Sequence, residues 1–173
     1  MKIEKVSVGY LEENCYVVSI DNKCLVIDPG DEANKIIDLI GNKEVEGILI
    51  THNHFDHIGA LKEIKEKYNV EVYDHNNLKE GINTIGDFTF EVIYNPGHSK
   101  DSTSYYFKED KTMFVGDFVF YRTVGRCDLD DGNIHEMKQS IEKLKQIQED
   151  ITLYPGHGIE TTLNEEKMYN PYF

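Results

Sequence analysis

Three imidazoles and a carboxylate fall within six positions of the chain: His52, His54, Asp56 and His57 in the stretch Thr51-His52-Asn53-His54-Phe55-Asp56-His57. Neutral imidazole nitrogens and a carboxylate oxygen are donors that suit zinc, and ferrous iron and manganese accept the same set. Three further candidates lie far along the chain. His98 follows Asn95-Pro96-Gly97, Asp117 follows Gly116, and His157 follows Tyr154-Pro155-Gly156. Each stands at or just beyond the end of an apolar run.

Seven donors exceed what one ion uses, about four protein ligands. Two divalent ions, zinc before iron or manganese, can use them all: His52, His54 and His98 around the first, Asp56, His57 and His157 around the second, Asp117 touching both. If His52 and His54 continue the extended path of a strand, residues i and i+2 point to the same side and share one ion. Asp56 and His57, at a turn into a helix, swing to the other. Such a pair of ions lowers the pKa of its water to about 7 and polarises a carbonyl or phosphoryl oxygen. The chemistry expected is metal-assisted hydrolysis by hydroxide, with Asp56 and Asp117 as the catalytic carboxylates. No strong general acid stands apart from the ligands, so a leaving group that needs little protonation fits. A thiolate, with a parent pKa near about 8.5, is such a group, and an amine is not.

The elements that must deliver these residues are legible from periodicity and punctuation. Strands are expected over 3–8, 14–20 and 24–28, the last stopped by Asp28-Pro29-Gly30. Ala33, Ile36, Ile37 and Ile40 mark a helix closed by Gly41. A strand over 45–50 feeds the histidine stretch, and Ile58, Leu61, Ile64 and Tyr68 mark a helix starting right after His57. Strands over 70–73 and 88–94 follow, then a hairpin of 103–107 with 112–115. Met137, Ile141, Leu144 and Ile147 mark a long helix entered through Asn133, and a strand over 151–154 comes last. The turn, apolar strand and Asp stop of 22–28 resemble those of 110–117, a weak internal repeat. Hairpins imply antiparallel pairing, so the pattern favours an α+β fold, an αββα sandwich of two mixed sheets with helices on both outer faces.

The 173 residues suffice for one domain spanning 1–173. A net charge of -14 disfavours nucleic acid, whose binding relies on Lys and Arg neutralising phosphates. No apolar stretch approaches the roughly 20 residues of a membrane span. The start, Met1-Lys2-Ile3-Glu4, has no apolar leader, so a cytoplasmic protein acting on a small molecule is expected; the oligomeric state is left open. Cys15, Cys24 and Cys127 form no Cys-x-x-Cys pair and indicate neither a disulfide framework nor a thiolate site.

His52-Asn53-His54-Phe55-Asp56-His57, followed in order by His98, Asp117 and His157, resembles the His-x-His-x-Asp-His signature of the metallo-β-lactamase superfamily. Asn14-Cys15-Tyr16, Asp28-Pro29-Gly30, Pro96-Gly97-His98-Ser99, Gly116-Asp117-Phe118-Val119-Phe120, Gly125-Arg126-Cys127-Asp128-Leu129, Tyr154-Pro155-Gly156-His157-Gly158 and Asn170-Pro171 look like its glyoxalase II (hydroxyacylglutathione hydrolase) branch. The resemblance implies two metals, usually zinc, a bridging Asp117, and hydrolysis of a thioester such as a hydroxyacyl-glutathione. It also admits two rivals: a mononuclear iron persulfide dioxygenase using His52, His54, His98 and Asp117, and a lactone or other ester hydrolase. β-Lactam cleavage fits less well, because the lactam-cleaving relatives generally lack the bridging carboxylate.

This sequence departs from the branch in three ways. Enzymes of the branch that act on glutathione thioesters typically carry a helical carboxy-terminal domain that binds the thiol carrier, whereas sixteen residues follow His157 here, so that mode of carrier binding is not expected; Lys100-Asp101 stands where Pro-Gly is common, and Cys127 replaces a Thr. Other residues have two readings. Asp28 either orients a ligand histidine or caps its turn. Arg126 and Asp128 either position a substrate carboxylate or pair with each other, and the pairing is favoured. Tyr10, Tyr16 and the stretch 118–121 either line a cleft or, as is favoured, pack. His75 and His135 are expected to be exposed and idle.

Overall fold

The computed structural model describes residues 1–173 and has four layers, helix, sheet, sheet, helix. The first sheet runs β1 (Lys2–Val8), β2 (Glu13–Ile20), β3 (Lys23–Ile27), β4 (Glu44–Leu49), β5 (Val72–Tyr73) in spatial order. The second sheet contains β6 (Gly81–Ile85), β7 (Phe88–Tyr94), β8 (Thr103–Phe107), β9 (Thr112–Gly116), β12 (Thr152–Pro155) and β13 (Thr161–Thr162). Its spatial order is β13-β12-β9-β8-β7-β6. A two-stranded ribbon, β10 (Val119–Phe120) with β11 (Thr123–Val124), follows Asp117. The helices are α1 (Ala33–Ile40), α2 (Phe55–Ile58), α3 (Leu61–Tyr68), α4 (Ile134–Lys145) and α5 (Leu163–Tyr169). None of them is long and apolar enough to cross a membrane.

Period-2 alternation builds the layers. On β2 and β3, Cys15, Val17, Cys24 and Val26 face α1 and α3, while Tyr16, Val18, Leu25 and Ile27 face the second sheet. On β8 and β9, Tyr105, Phe107 and Phe114 meet them across the middle, and Tyr106, Met113 and Val115 turn outward to α4 and Leu163 of α5. The weak internal repeat is a real one. An antiparallel pair, β2-β3 or β8-β9, is followed by a helix, α1 or α4, and a strand parallel to the second of the pair, β4 or β12. A parallel return needs such a crossover.

The expected helix after His57 begins earlier. α2 starts at Phe55, so Asp56 and His57 ride on its single turn, and the chain breaks at Gly59 before α3. A Cβ on Gly59 would lie 2.3 Å from the Gly30 carbonyl oxygen, so the break is where helix and turn pack backbone to backbone. The expected strand over 70–73 pairs only at Val72 and Tyr73. β6 was not anticipated: it is an edge strand with Gly81, Asn83 and an exposed Ile82, a composition that does not read as a strand. α5 was also missed, although Thr162 to Glu165 is a capping signature and Thr162 does accept the Glu165 amide. Asn133 caps α4 as expected, accepting from the amides of His135 and Glu136.

Candidate metal centre

Strand direction gathers the seven residues. β7, β9 and β12 point the same way, because β8 is antiparallel to both β7 and β9 and β12 is parallel to β9. Their carboxyl ends release His98, Asp117 and His157 at one edge of the second sheet. β3 and β4, parallel in the first sheet, release Asp28 and Thr51-His52. The two edges are tied together. Thr103 donates its amide to the Thr51 carbonyl, and Tyr105 donates its hydroxyl to the Ile50 carbonyl. Asn14 donates its amide to Gly156 and its side-chain nitrogen to Pro155 and Gly158, while Tyr16 donates to Pro155, so β2 grips the His157 loop. The approach requires glycine at 156: a Cβ there would stand 2.4 Å from Asp117 Oδ1 and 2.5 Å from His57 Cε1.

All seven expected residues come together. His52, His54 and His98 form one group, Asp56, His57 and His157 another, and Asp117 joins His52 and His57 in a third that overlaps both. His52 Nε2 lies 3.1 Å from His54 Nδ1, and His98 Nε2 lies 2.9 Å from the same atom. Asp117 stands between the groups, Oδ1 3.4 Å from His57 Nε2 and Oδ2 3.5 Å from His98 Nε2 and 3.6 Å from His157 Nε2.

The outer nitrogens decide which ring atoms are free. His98 Nδ1 meets the Arg126 carbonyl at 2.8 Å, an acceptor only, so it carries the proton and its Nε2 is a bare lone pair. Thr51 spends its hydroxyl proton on Asp28, so it accepts from His52 Nδ1 and leaves His52 Nε2 bare. His54 turns Nε2 toward Asp131 at 3.6 Å and Nδ1 inward toward His52 and His98, the orientation in which Nδ1 can serve as a ligand. Three lone pairs thus converge within about the spacing, near 3.3 Å, that tetrahedral coordination at roughly 2.0–2.1 Å produces. Without a cation between them they repel. In the second group His57 donates Nδ1 to Asp28 and His157 donates Nδ1 to the Leu11 carbonyl, so both Nε2 atoms face carboxylates. His57 Nε2 and Asp117 Oδ1 are buried and lack any hydrogen-bond partner. Something positive belongs there, a proton or a metal ion, and the donor set fits divalent cations.

The groups differ in charge preference when no metal is present. Burial, then the neighbouring imidazoles, hold His52 well below the usual histidine range, and burial likewise lowers His98. Burial also opposes charge on His57 and His157. There it is outweighed, for His57 by the charge of Asp28, its hydrogen bond to Asp28 and the nearby Asp117 carboxylate, and for His157 by Asp56 and Asp117, so both are raised. Against burial's upward push, Asp56 is held below the carboxylate range by His157 and His57, and Asp117 by His57, His157 and His98.

Of its two expected roles, Asp28 takes the orienting one: its carboxylate bonds go to Thr51 and His57, and none goes to its own turn. It sits at the left-handed turn with φ 50° and accepts from the Thr51 amide, the Thr51 hydroxyl and His57. Arg126 and Asp128 pair with each other, bidentate at 2.7 and 2.8 Å. Cys127 is half-buried against the α4 layer, with its thiol on the Gly125 carbonyl, and burial pushes that thiol up. Tyr16 and Phe118 are buried in the core, whereas Tyr10 is 82% exposed. His135 is exposed as expected, but His75 is half-buried and packs on the Tyr94 ring. Three residues take roles that local sequence does not announce, Asp101 standing out there only as a departure from the branch. Asp101 accepts from the amide and side chain of Asn53, between two of the histidines. Glu13 is buried 3.7 Å from His57 Nδ1 with both carboxyl oxygens unpartnered, and burial pushes its carboxyl well up. Glu166, fully buried, accepts from the Arg122 amide, Thr161 and Asn170 and so fastens α5 to the ribbon after Asp117. Of these groups only Asn170, in its Asn-Pro pair, stands out in the sequence.

The model of the metallo-beta-lactamase superfamily matches residues 8–81 and 74–157. The chain belongs to that superfamily. It is 30% identical to the hydroxyacylglutathione hydrolase GloC of Haemophilus influenzae over 99% of this chain and 98% of that one. The fold is similar to that of the BLEG-1 B3 metallo-beta-lactamase, with a TM-score of 0.95 at 30% identity over 99% of both chains. It is also similar to TTHA1623 in a di-iron-bound form, with a TM-score of 0.91 at 31% identity over 98% of this chain and 100% of that one. These superfamily hydrolases are metal-dependent, and the His and Asp clusters described above are this chain's candidates for the metal.

Proposed function

We propose that residues 1–173 form one metallo-hydrolase domain that binds two divalent ions and cleaves a thioester. His52, His54 and His98 would hold one ion, Asp56, His57 and His157 the other, and Asp117 both. The observation that carries this reading is the orientation of the five rings: each outer nitrogen faces a hydrogen-bond acceptor or carboxylate, which leaves five inner nitrogens and two carboxylates converging. Zinc is the preferred metal from the donor set, and the di-iron relative keeps iron in play.

Two divalent ions bound there would supply an activated water near neutral pH and polarise the substrate carbonyl. Asp56 and Asp117 would offset part of the charge of ions bound there. Thr51, Asp28, Leu11 and Arg126 hold the rings in one tautomer and orientation, which removes reorganisation from the reaction. Asp56 and Asp117, held below the usual carboxylate range, remain ionised at neutral pH and are poor proton donors. A leaving group that departs as an anion therefore fits, and a thiolate does so where an alkoxide or amide nitrogen does not. The hydroxyacylglutathione hydrolase relative supports the same class.

Metal analysis of the purified protein with thioester, β-lactam and persulfide assays tests the proposal. Two equivalents of metal with chelator-sensitive thioester cleavage are expected. Two equivalents with no cleavage of any thioester, or one equivalent of iron with persulfide-dependent oxygen uptake, would sink it.

A further inference from the structure

Beside Asp56 the site opens into a cavity of about 200 Å³ whose rim includes Tyr10, Leu11 and Phe55. These side chains are 82%, 42% and 64% exposed, an apolar face left to water next to a polar centre. The cavity borders the second group: Asp56 is one of its lining residues, and Leu11, another, accepts from His157 Nδ1 through its carbonyl. A dry cavity of roughly 150 Å³ accepts a benzene ring, so a butyryl or phenyl group fits this one. Its only charged lining residues are the carboxylates Asp31 and Asp56, which disfavour an anionic acyl chain.

The opposite rim is acidic. Segments 98–102 and 125–131 carry Asp101, Asp128, Asp130 and Asp131 against two cations, Lys100 and Arg126. Arg126 is bound edge-on to Asp128, and Lys100 makes no ion pair. Asp131 sits 3.6 Å from His54, at the centre itself. No cluster of Lys or Arg is available to receive carboxylates or phosphates, and the whole chain carries -14.

We infer that the substrate is a thioester with a small apolar acyl group, seated on Tyr10, Leu11 and Phe55, and with a thiol carrier that is neutral or cationic rather than anionic. This rests on the thioesterase reading and narrows it. The wild-type enzyme is assayed on butyryl thioesters of N-acetylcysteamine, thiocholine, glutathione and coenzyme A, with acetyl-N-acetylcysteamine as the short-chain control. At low ionic strength kcat/KM for the neutral and cationic carriers exceeds that for the two anionic ones by about tenfold. The gap shrinks severalfold as added salt reduces the Debye length from about 10 Å at 0.1 M to about 3 Å at 1 M. Asp130→Lys, at an exposed position, shifts the ratio severalfold toward the anionic carriers. Tyr10→Ala raises KM severalfold more for the butyryl than for the acetyl substrate. A preference for glutathione or coenzyme A at low salt, or a ranking unmoved by salt and by Asp130→Lys, overturns the inference while the thioesterase reading stands. Failure to cleave any of the five overturns both.

Discussion

The two halves of the centre are built from similar residues and prepared differently. His52, His54 and His98 present only nitrogen, and burial, joined by repulsion among the imidazoles, holds His52 and His98 below the usual histidine range and so disfavours a second proton on either ring. Asp56, His57 and His157 include a carboxylate, and Asp28, Asp56 and Asp117 draw protons onto both imidazoles. One half awaits a cation with bare lone pairs. The other is charge-compensated by protons until a cation displaces them. The order of filling and emptying should therefore differ, although Asp117 spans both.

Removing the shared residue abolishes the distinction. Asp117→Ala is expected to lower kcat/KM by about 10³-fold, the scale of losing a principal electrostatic contact, and to reduce bound metal at both positions. Metal content by elemental analysis checks it. Retention of two equivalents with an ordinary rate would refute the bridging assignment.

Asp28→Asn comes next. Asp28 touches no proposed ion, yet it accepts from His57 directly and reaches His52 through the Thr51 hydroxyl. Loss of such an outer partner weakens metal binding by about 10–100-fold. Both halves should weaken, His57's more than His52's, in a chelator competition.

Acid separates the halves. A histidine raised in the metal-free protein takes its proton back at higher pH than an ordinary imidazole, and a lowered one resists to lower pH. As pH falls, the Asp56, His57 and His157 half should release its ion first, leaving a one-metal form bound at His52, His54 and His98. Dialysis at stepped pH with metal analysis and cobalt spectra reads the order, and release of both ions in one step would count against it.

The seven residues were legible because each stands at or just past the end of an apolar run: His98 and His157 in Pro-Gly-His, Asp117 in Gly-Asp, and His52, His54, Asp56 and His57 together in the dense stretch after Ile50. The two-sheet architecture was legible from the hairpins for the same reason. Asp28 apart, what orients those seven could not be read. Asn14, Thr51 and Asp101 act across 48 to 144 residues of chain or through a single hydroxyl, and no local spacing marks them. Glu13 looks like any strand-edge glutamate until β2 is seen closed in on both faces. The start of α2 was misjudged because a one-turn helix of Phe, Asp, His and Ile has no period to detect.

The smallest predicted effect tests whether the halves can be tuned separately. Asp101, at a position where relatives of the resembled branch often carry glycine, accepts from Asn53 through its amide at 3.1 Å and its side chain at 2.6 Å. Burial pushes this carboxyl up, but the hydrogen bonds from Asn53 and Ser99 outweigh it and hold it below the carboxylate range, so the anchor persists at any pH where metal binds. Asn53 separates His52 from His54 and has no contact with His157. In Asp101→Ala, water can replace the lost acceptor at this half-buried place, so the cost is about that of one exposed hydrogen bond, roughly 0.5–1.5 kcal/mol. Spent on the spread between His52 and His54, that corresponds to a roughly three- to tenfold weaker first ion with the second unchanged. If both ions weaken equally, the loop acts on the centre as one body and the two halves are not independently built.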